Sequence, residues 1–169
     1  MVHDLTGRIA PAFPEKMRAV GIPPFERFYE ANRDEVFAVL ARRLGRQRAE
    51  DAFQETFLRA LRAYAALRHG EHLRAWVMTI ARNVAADDWR RRPNDDGELP
   101  ELAELPTRPA YAEIEHLTDR LSPAERAAVV LRYAYDLPYS AIGAALGSSE
   151  DAARQAASAG VRRLRKELT

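Results

Sequence analysis

The chain has 169 residues, 47% of them apolar, with 26 basic and 25 acidic side chains and a formal net charge of +1. That length suits one ordinary domain or two small ones. The charge balance leaves any polyanion-binding surface to local patches rather than to the total. The absence of cysteine excludes disulfides, thiolate metal sites and cysteine nucleophiles.

Only Lys16 and Lys166 among the basic residues are lysines; the bias fits a GC-rich genome, and arginine is also the better fork for phosphates and guanine edges. The N-terminal stretch mixes acids with bases and lacks the apolar run of a signal peptide. No stretch holds 18 consecutive apolar residues, so the expectation is a cytoplasmic protein with no membrane insertion.

Residues 1–24 contain Pro11, Pro14, Pro23 and Pro24 and no sustained periodicity, which predicts a loose N-terminal arm. From Phe25 the pattern turns helical: Phe25, Phe28, Tyr29, Val36, Phe37, Leu40 and Leu44 recur at steps of three and four, and Gly45 is placed to end the helix. A second helix is predicted over 49–67, with Phe53, Phe57, Leu61 and Tyr64 on one stripe. A third covers 72–92, with Leu73, Val77, Ile80 and Val84 facing inward and Pro93 following it. Three such helices with short turns make a small bundle.

Composition then changes. PNDDGELPELAELPTRP, residues 93–109, holds four prolines and five acids against one arginine, the signature of a flexible linker. Four short helical patterns follow, at about 111–120, 123–135, 138–146 and 149–168. Ser122-Pro123 with Glu125 reads as a helix start: serine as N-cap, proline at N1 and glutamate at N3. The expected fold is all-α, with two small helical domains joined by an acidic Pro-rich linker. The boundaries fall at an arm 1–24, a first domain 25–92, a linker 93–110 and a second domain 111–169.

YSAIGAALGSSEDAARQ has the layout of a helix-turn-helix. Ile142 and Leu146 form the apolar side of a short helix, Gly147 suits a turn needing positive φ, and Ser149 can cap the next helix. In this motif the second helix enters the major groove and its first residues meet base edges. Laying 149–168 on a helix puts Ala153, Ala157, Gly160 or Val161, Leu164 and Leu168 on the inward stripe. Glu150, Arg154, Ser158, Arg162 and Arg165 fall on the outward face, with Asp151 and Gln155 beside them. Arg154 can take a guanine edge, Gln155 an adenine and Glu150 a cytosine amino group. Arg162, Arg163, Arg165 and Lys166 lie further along and suit phosphates. The bland alternative is that Glu150 and Asp151 at the start, and the bases at the end, complement the helix dipole.

AEDAFQETFLRAL (49–61), HLRAWVMTIARNVAADDWRRRP (72–93) and LSPAERAAVVLRYAYDLPYSAIGAALGSSEDAARQ, in that order, resemble a bacterial RNA polymerase sigma factor of the extracytoplasmic-function (ECF) type. The resemblance spans about 25–92 and 111–168. It implies that the first domain is sigma region 2, which binds core RNA polymerase and melts the −10 element. The second is implied to be region 4, reading the −35 element. By resemblance Asp51, Gln54 and Glu55 dock on the clamp helices of β′. The spacing agrees, since Asp51 and Glu55 are i, i+4 on one face, away from Phe53 and Phe57. Surfaces of the second domain are implied to reach the β flap, and the linker to thread toward the RNA-exit and active-site channels.

The −10 set implied by resemblance lies between Arg68 and Arg92: His69 in the loop that holds an extruded base, then Arg74, Trp76, Asn83, Asp87, Arg90, Arg91 and Arg92. Opening a strand needs groups that pocket or stack on a base and cations for the freed backbone. Asn83, Asp87 and Arg90 follow one face at i, i+4 and i+7. Trp76 fits a stacking role or a core one, the core being the more ordinary. The −35 set is Glu150, Asp151, Arg154, Gln155, Ser158, Arg162, Arg163 and Arg165.

Relatives of this type often carry bases at positions matching Ala156 and Ala159, so −35 reading is expected to be weak in this chain. An anti-sigma factor is a common partner of the family, though no residue marks one. No catalytic residue, cofactor or metal site is expected. His69 and His72 lack a third ligand, Glu113-x-x-His116 lacks a partner motif, and Asp87-Asp88 do not share a helix face. The rival readings are an enzyme, a regulator that binds duplex operators without polymerase, and an orphaned family member that is a sink for anti-sigma proteins.

Overall fold

The computed structural model describes residues 14–92 and 118–169. The expected linker 93–110, most of the helix expected at 111–120, and Glu113 and His116 lie outside the described residues. Among the described residues every regular element is helical: α1 Glu15–Ala19, α2 Phe25–Leu44, α3 Arg46–Tyr64, α4 Leu73–Arg91, α5 Pro123–Tyr133, α6 Tyr139–Leu146 and α7 Glu150–Glu167.

Helices α2, α3 and α4 form the first bundle. Phe28, Val36, Leu40 and Leu44 of α2 and Leu73, Val77, Ile80 and Val84 of α4 are buried, as their spacing predicts. Phe28 sits at the centre of an aromatic cluster, with ring centroids 5.2 Å from Tyr64, 5.7 Å from Trp76 and 6.2 Å from Phe57. On α3 the expected stripe shifts by one position: Phe57, Ala60, Ala63 and Tyr64 turn inward, while Leu61 is 52% exposed. The small Ala60 and Ala63 let neighbouring helices approach closely.

The loose-arm expectation fails for residues 14–24. Met17 and Ile22 are buried, the Tyr64 hydroxyl donates to the Pro23 carbonyl at 2.6 Å, and Gly70 N–H donates to Val20 O at 3.2 Å. Two apolar side chains in a short segment were enough to dock it, although too few to show a period. The fit is tight at Gly70, where an added Cβ would stand 2.0 Å from the Gly21 carbonyl oxygen. Gly70→Ala must therefore push the segment or the loop away. The expected cost is about 1–3 kcal/mol, read as a lowered midpoint of thermal unfolding.

Helices α5, α6 and α7 form the second lobe. Ser122 caps α5 in a closed capping box: its hydroxyl accepts from Glu125 N–H at 3.3 Å, while its own N–H donates to the Glu125 carboxylate at 3.1 Å. Ser149 caps α7 by accepting from Ala152 N–H at 3.0 Å. Gly147 ends α6 at φ 63, a left-handed conformation that glycine adopts without a Cβ penalty.

The two lobes do not stand apart. Buried side chains run without a break from α2, α3 and α4 into Leu131, Tyr135, Leu137 and Ile142 of the second lobe. Helix α3 packs on α6, and α4 packs on both α5 and α6. Among the described residues no helix is long and apolar enough to cross a membrane.

Candidate polymerase and promoter surfaces

Helix α3 offers the first surface. Asp51 and Gln54 are exposed and Glu55 is half-buried. Leu58 and Leu61, 48% and 52% exposed, continue the same side at i+3 and i+6 from Glu55. Two bare leucines beside two carboxylates make an amphipathic strip suited to a helical, basic partner. Leu58 is the next step of the series Asp51, Glu55, whereas Leu61, expected on the inward stripe, stands exposed on this side.

The residues expected to act on the −10 element are placed very unequally. Trp76 is fully buried among Phe28 and Tyr64, so it is a core residue and no base can stack on it. Asn83 is 3% exposed. It faces Arg59 of α3, whose Nη1 donates to Asn83 Oδ1 at 3.3 Å and to Asp87 Oδ2 at 3.0 Å. Arg59 itself is buried, and its Nε donates to Glu55 Oε1 at 2.7 Å. Asp87 also pairs with Arg90. Arg59 therefore joins Asn83 to Asp87, and Arg90 is tied in through Asp87. A buried cation needs such partners.

Arg74 lies elsewhere, at the start of α4, ion-paired with Glu35. The hydrogen bond to that carboxylate holds its guanidinium pKa above the usual value. Arg90, Arg91 and Arg92 are exposed at the end of α4. Nearby, Arg48 donates to Asp88 Oδ2 at 2.8 Å and lies over the Trp89 ring.

The loop 68–72 ends in His72, which adopts φ 56, uncommon for a residue with a Cβ. The His69 ring stacks on Tyr135 of the second lobe at 5.9 Å and 19°. Among the described residues no three His, Asp or Glu side chains come together as metal ligands would. At the seam between the lobes Arg43 is crowded. Burial first, then the like charges of Arg82, Arg126 and Arg42, bring its pKa down to about 10, so it remains a cation at neutral pH.

The second surface is α7. Glu150, Asp151, Arg154, Gln155, Ser158, Arg162 and Arg165 are exposed. Arg154 is steadied by Glu150 at 3.1 Å and lies over the Tyr139 ring at 5.0 Å. Arg132 lies over the same ring, 4.6 Å from its centre. Arg163 turns back to Glu125 of α5 at 3.4 Å, so it helps to join two helices rather than standing free with the other bases. Ala153, Ala157 and Gly160 are buried as expected, but Leu168 is 75% exposed. Ala156 and Ala159 are half-buried, so their smallness is partly a packing matter.

The chain matches Sigma-70 region 2 over residues 28–93 and Sigma-70, region 4 over residues 119–166. It is 30% identical over 168 residues to the ECF RNA polymerase sigma factor BldN of Streptomyces coelicolor, covering 91% of this chain and 64% of BldN. It is 35% identical over 114 residues to the ECF RNA polymerase sigma factor EcfG of Rhodopseudomonas palustris, covering 63% of this chain and 58% of EcfG. Against the RNA polymerase sigma factor CarQ of Myxococcus xanthus it is 32% identical over 166 residues, covering 91% of this chain and 94% of CarQ. The capping box of α5, the helix-turn-helix and the acidic face of α3 all lie within the two matched regions. The chain belongs to the sigma-70 family of RNA polymerase sigma factors, in its extracytoplasmic-function branch.

Proposed function

We propose that the chain binds core RNA polymerase and directs promoter-specific initiation in the cytoplasm, acting by binding and base opening rather than by catalysis of its own. The carrying observation is the α3 face, on which Asp51, Gln54 and Glu55 stand beside the exposed Leu58 and Leu61. A regulator working on duplex operators alone has no use for that strip. Here it docks on the β′ clamp, and the second lobe adds a contact to the β flap. His69, Asp87 and Arg90–Arg92 act on the −10 element; the buried Asn83 holds Arg59 beneath that face, and Arg74 steadies the start of α4 through Glu35. Run-off transcription with core enzyme on genomic promoters, followed by start-site mapping, tests the reading. Specific starts that depend on the chain support it; duplex binding without initiation supports the plain regulator.

In the −35 reading, Arg154 and Gln155 meet bases while Arg162 and Arg165 hold phosphates. Arg154→Ala is expected to cost about 1–3 kcal/mol and to relax selectivity at one base pair. Arg165→Ala should instead weaken binding evenly across sequences and lower the salt slope by about one. Titrating both variants against a panel of single-base promoter changes, at two salt concentrations, separates the two behaviours. An anti-sigma partner is proposed on the family resemblance alone.

A further inference from the structure

Tyr139 opens α6 and is half-buried where α5, α6 and α7 pack together. Its ring carries two guanidinium groups: Arg132 of α5 lies 4.6 Å from the ring centre, and Arg154 of α7 lies 5.0 Å from it. The negative face of an aromatic ring attracts each cation, but two like charges on one ring also repel unless other groups hold them. Arg132 is held because its Nη1 donates to the Leu137 carbonyl at 3.0 Å, in the turn that leads into α6. Arg154 is held because its Nη2 donates to Glu150 Oε1 at 3.1 Å, one turn back along α7.

Arg154 is nevertheless 51% exposed, so its remaining N–H donors are open to a ligand. An arginine on a helix surface has a long, flexible stem and gives up much rotamer freedom when it grips a base. The ring and the carboxylate remove part of that freedom in advance, the general route by which preorganisation raises affinity. Placement matters the more here because α7 bears alanine at 152, 156 and 159, which leaves Arg154 as the cation nearest the helix start.

We propose that Tyr139 is a positioning residue for −35 recognition: its ring, fastened by Arg132, sets the Arg154 guanidinium before DNA arrives and so sharpens the choice of a guanine in the major groove. Guanine shows two acceptors there, N7 and O6, which a preset fork meets together. The ring acts through Arg154 and reads no base itself. The proposal rests on the −35 reading given above, in which Arg154 takes a base edge.

The test uses the full chain assembled with core polymerase, on duplexes of a promoter mapped by run-off. Each base is tried at the pair where Arg154→Ala relaxes selectivity, and guanine is the preferred base expected there. Selectivity is the ratio of Kd for the other bases to Kd for the preferred one. Because each ratio compares one protein with itself, a shortfall of folded protein cancels. Tyr139→Leu is expected to lower the ratio about two- to fivefold, the population shift that an exposed cation–π contact produces. Tyr139→Phe brings back the ring without the hydroxyl, and with it the natural ratio. In an Arg154→Ala background, Tyr139→Leu should leave the ratio where Arg154→Ala alone puts it. A purely structural role for Tyr139 would weaken binding to every duplex alike, and that result overturns the proposal. A ratio raised by Tyr139→Leu also overturns it, since the ring would then be holding Arg154 away from the groove. So does an equal loss with Tyr139→Phe, which would give the role to the hydroxyl. If Arg154→Ala leaves selectivity unchanged at every pair, the −35 reading of Arg154 falls, and the proposal with it.

Discussion

Asp51→Arg is expected to abolish co-purification with core polymerase while the chain melts at an unchanged temperature. Asp51 is exposed, and exposed substitutions away from packing or networks change stability by no more than about 0.5 kcal/mol. Against a basic partner helix the reversal juxtaposes like charges, worth several kcal/mol. Affinity should fall by about two orders of magnitude or more, since each 1.4 kcal/mol is about tenfold. Glu55 is the wrong place for the same experiment. Its carboxylate is bonded to the buried Arg59, so a cation at position 55 would strain the first bundle as well as the docking face. Pull-down of core by the variant, beside a melting curve, settles which effect operates. Retained binding by Asp51→Arg would remove α3 as the docking face.

Trp76→Ala is expected to unfold the first lobe rather than to impair DNA binding selectively. The indole is fully buried against Phe28 and Tyr64, and truncating such a residue costs about 3–5 kcal/mol. Much of the stability of a domain this size is at stake, so the melting temperature should drop by about 10 °C or more. Circular dichroism across a temperature ramp reads it directly. A variant with native stability that had lost only promoter opening would return Trp76 to the DNA-facing set.

The contrast between these two residues shows what periodicity could and could not reveal. The inward residues of α2 and α4 were legible because large apolar side chains recur there every three or four residues, although α4 buries further residues outside that series, Trp76 and Met78 among them. Ser122, Glu125, Gly147 and Ser149 were legible because caps and left-handed turns depend on local chemistry. Asp51, Gln54 and Glu55 were named from the resemblance, and their common side followed from spacing alone. Arg59 was not legible: its four partners come from α3 itself, from α4 and from a carbonyl 87 residues away. Nothing in an i, i+4 pattern announces a contact of that range. The docking of residues 14–24 escaped for a similar reason, as Met17 and Ile22 find their partners only after the bundle exists. Leu61 shows the reverse error, an apolar residue assigned inward by its type although its side of α3 faces outward.

Seated on core polymerase, this chain is expected to open promoter DNA at the −10 element. Permanganate reactivity of thymines in a mapped promoter measures that opening base by base. Reactivity confined to the −10 segment, present only when chain and core are both added and lost with Asp51→Arg, is the result expected. A promoter that binds the chain yet stays unreactive with core present would rule out opening by this chain.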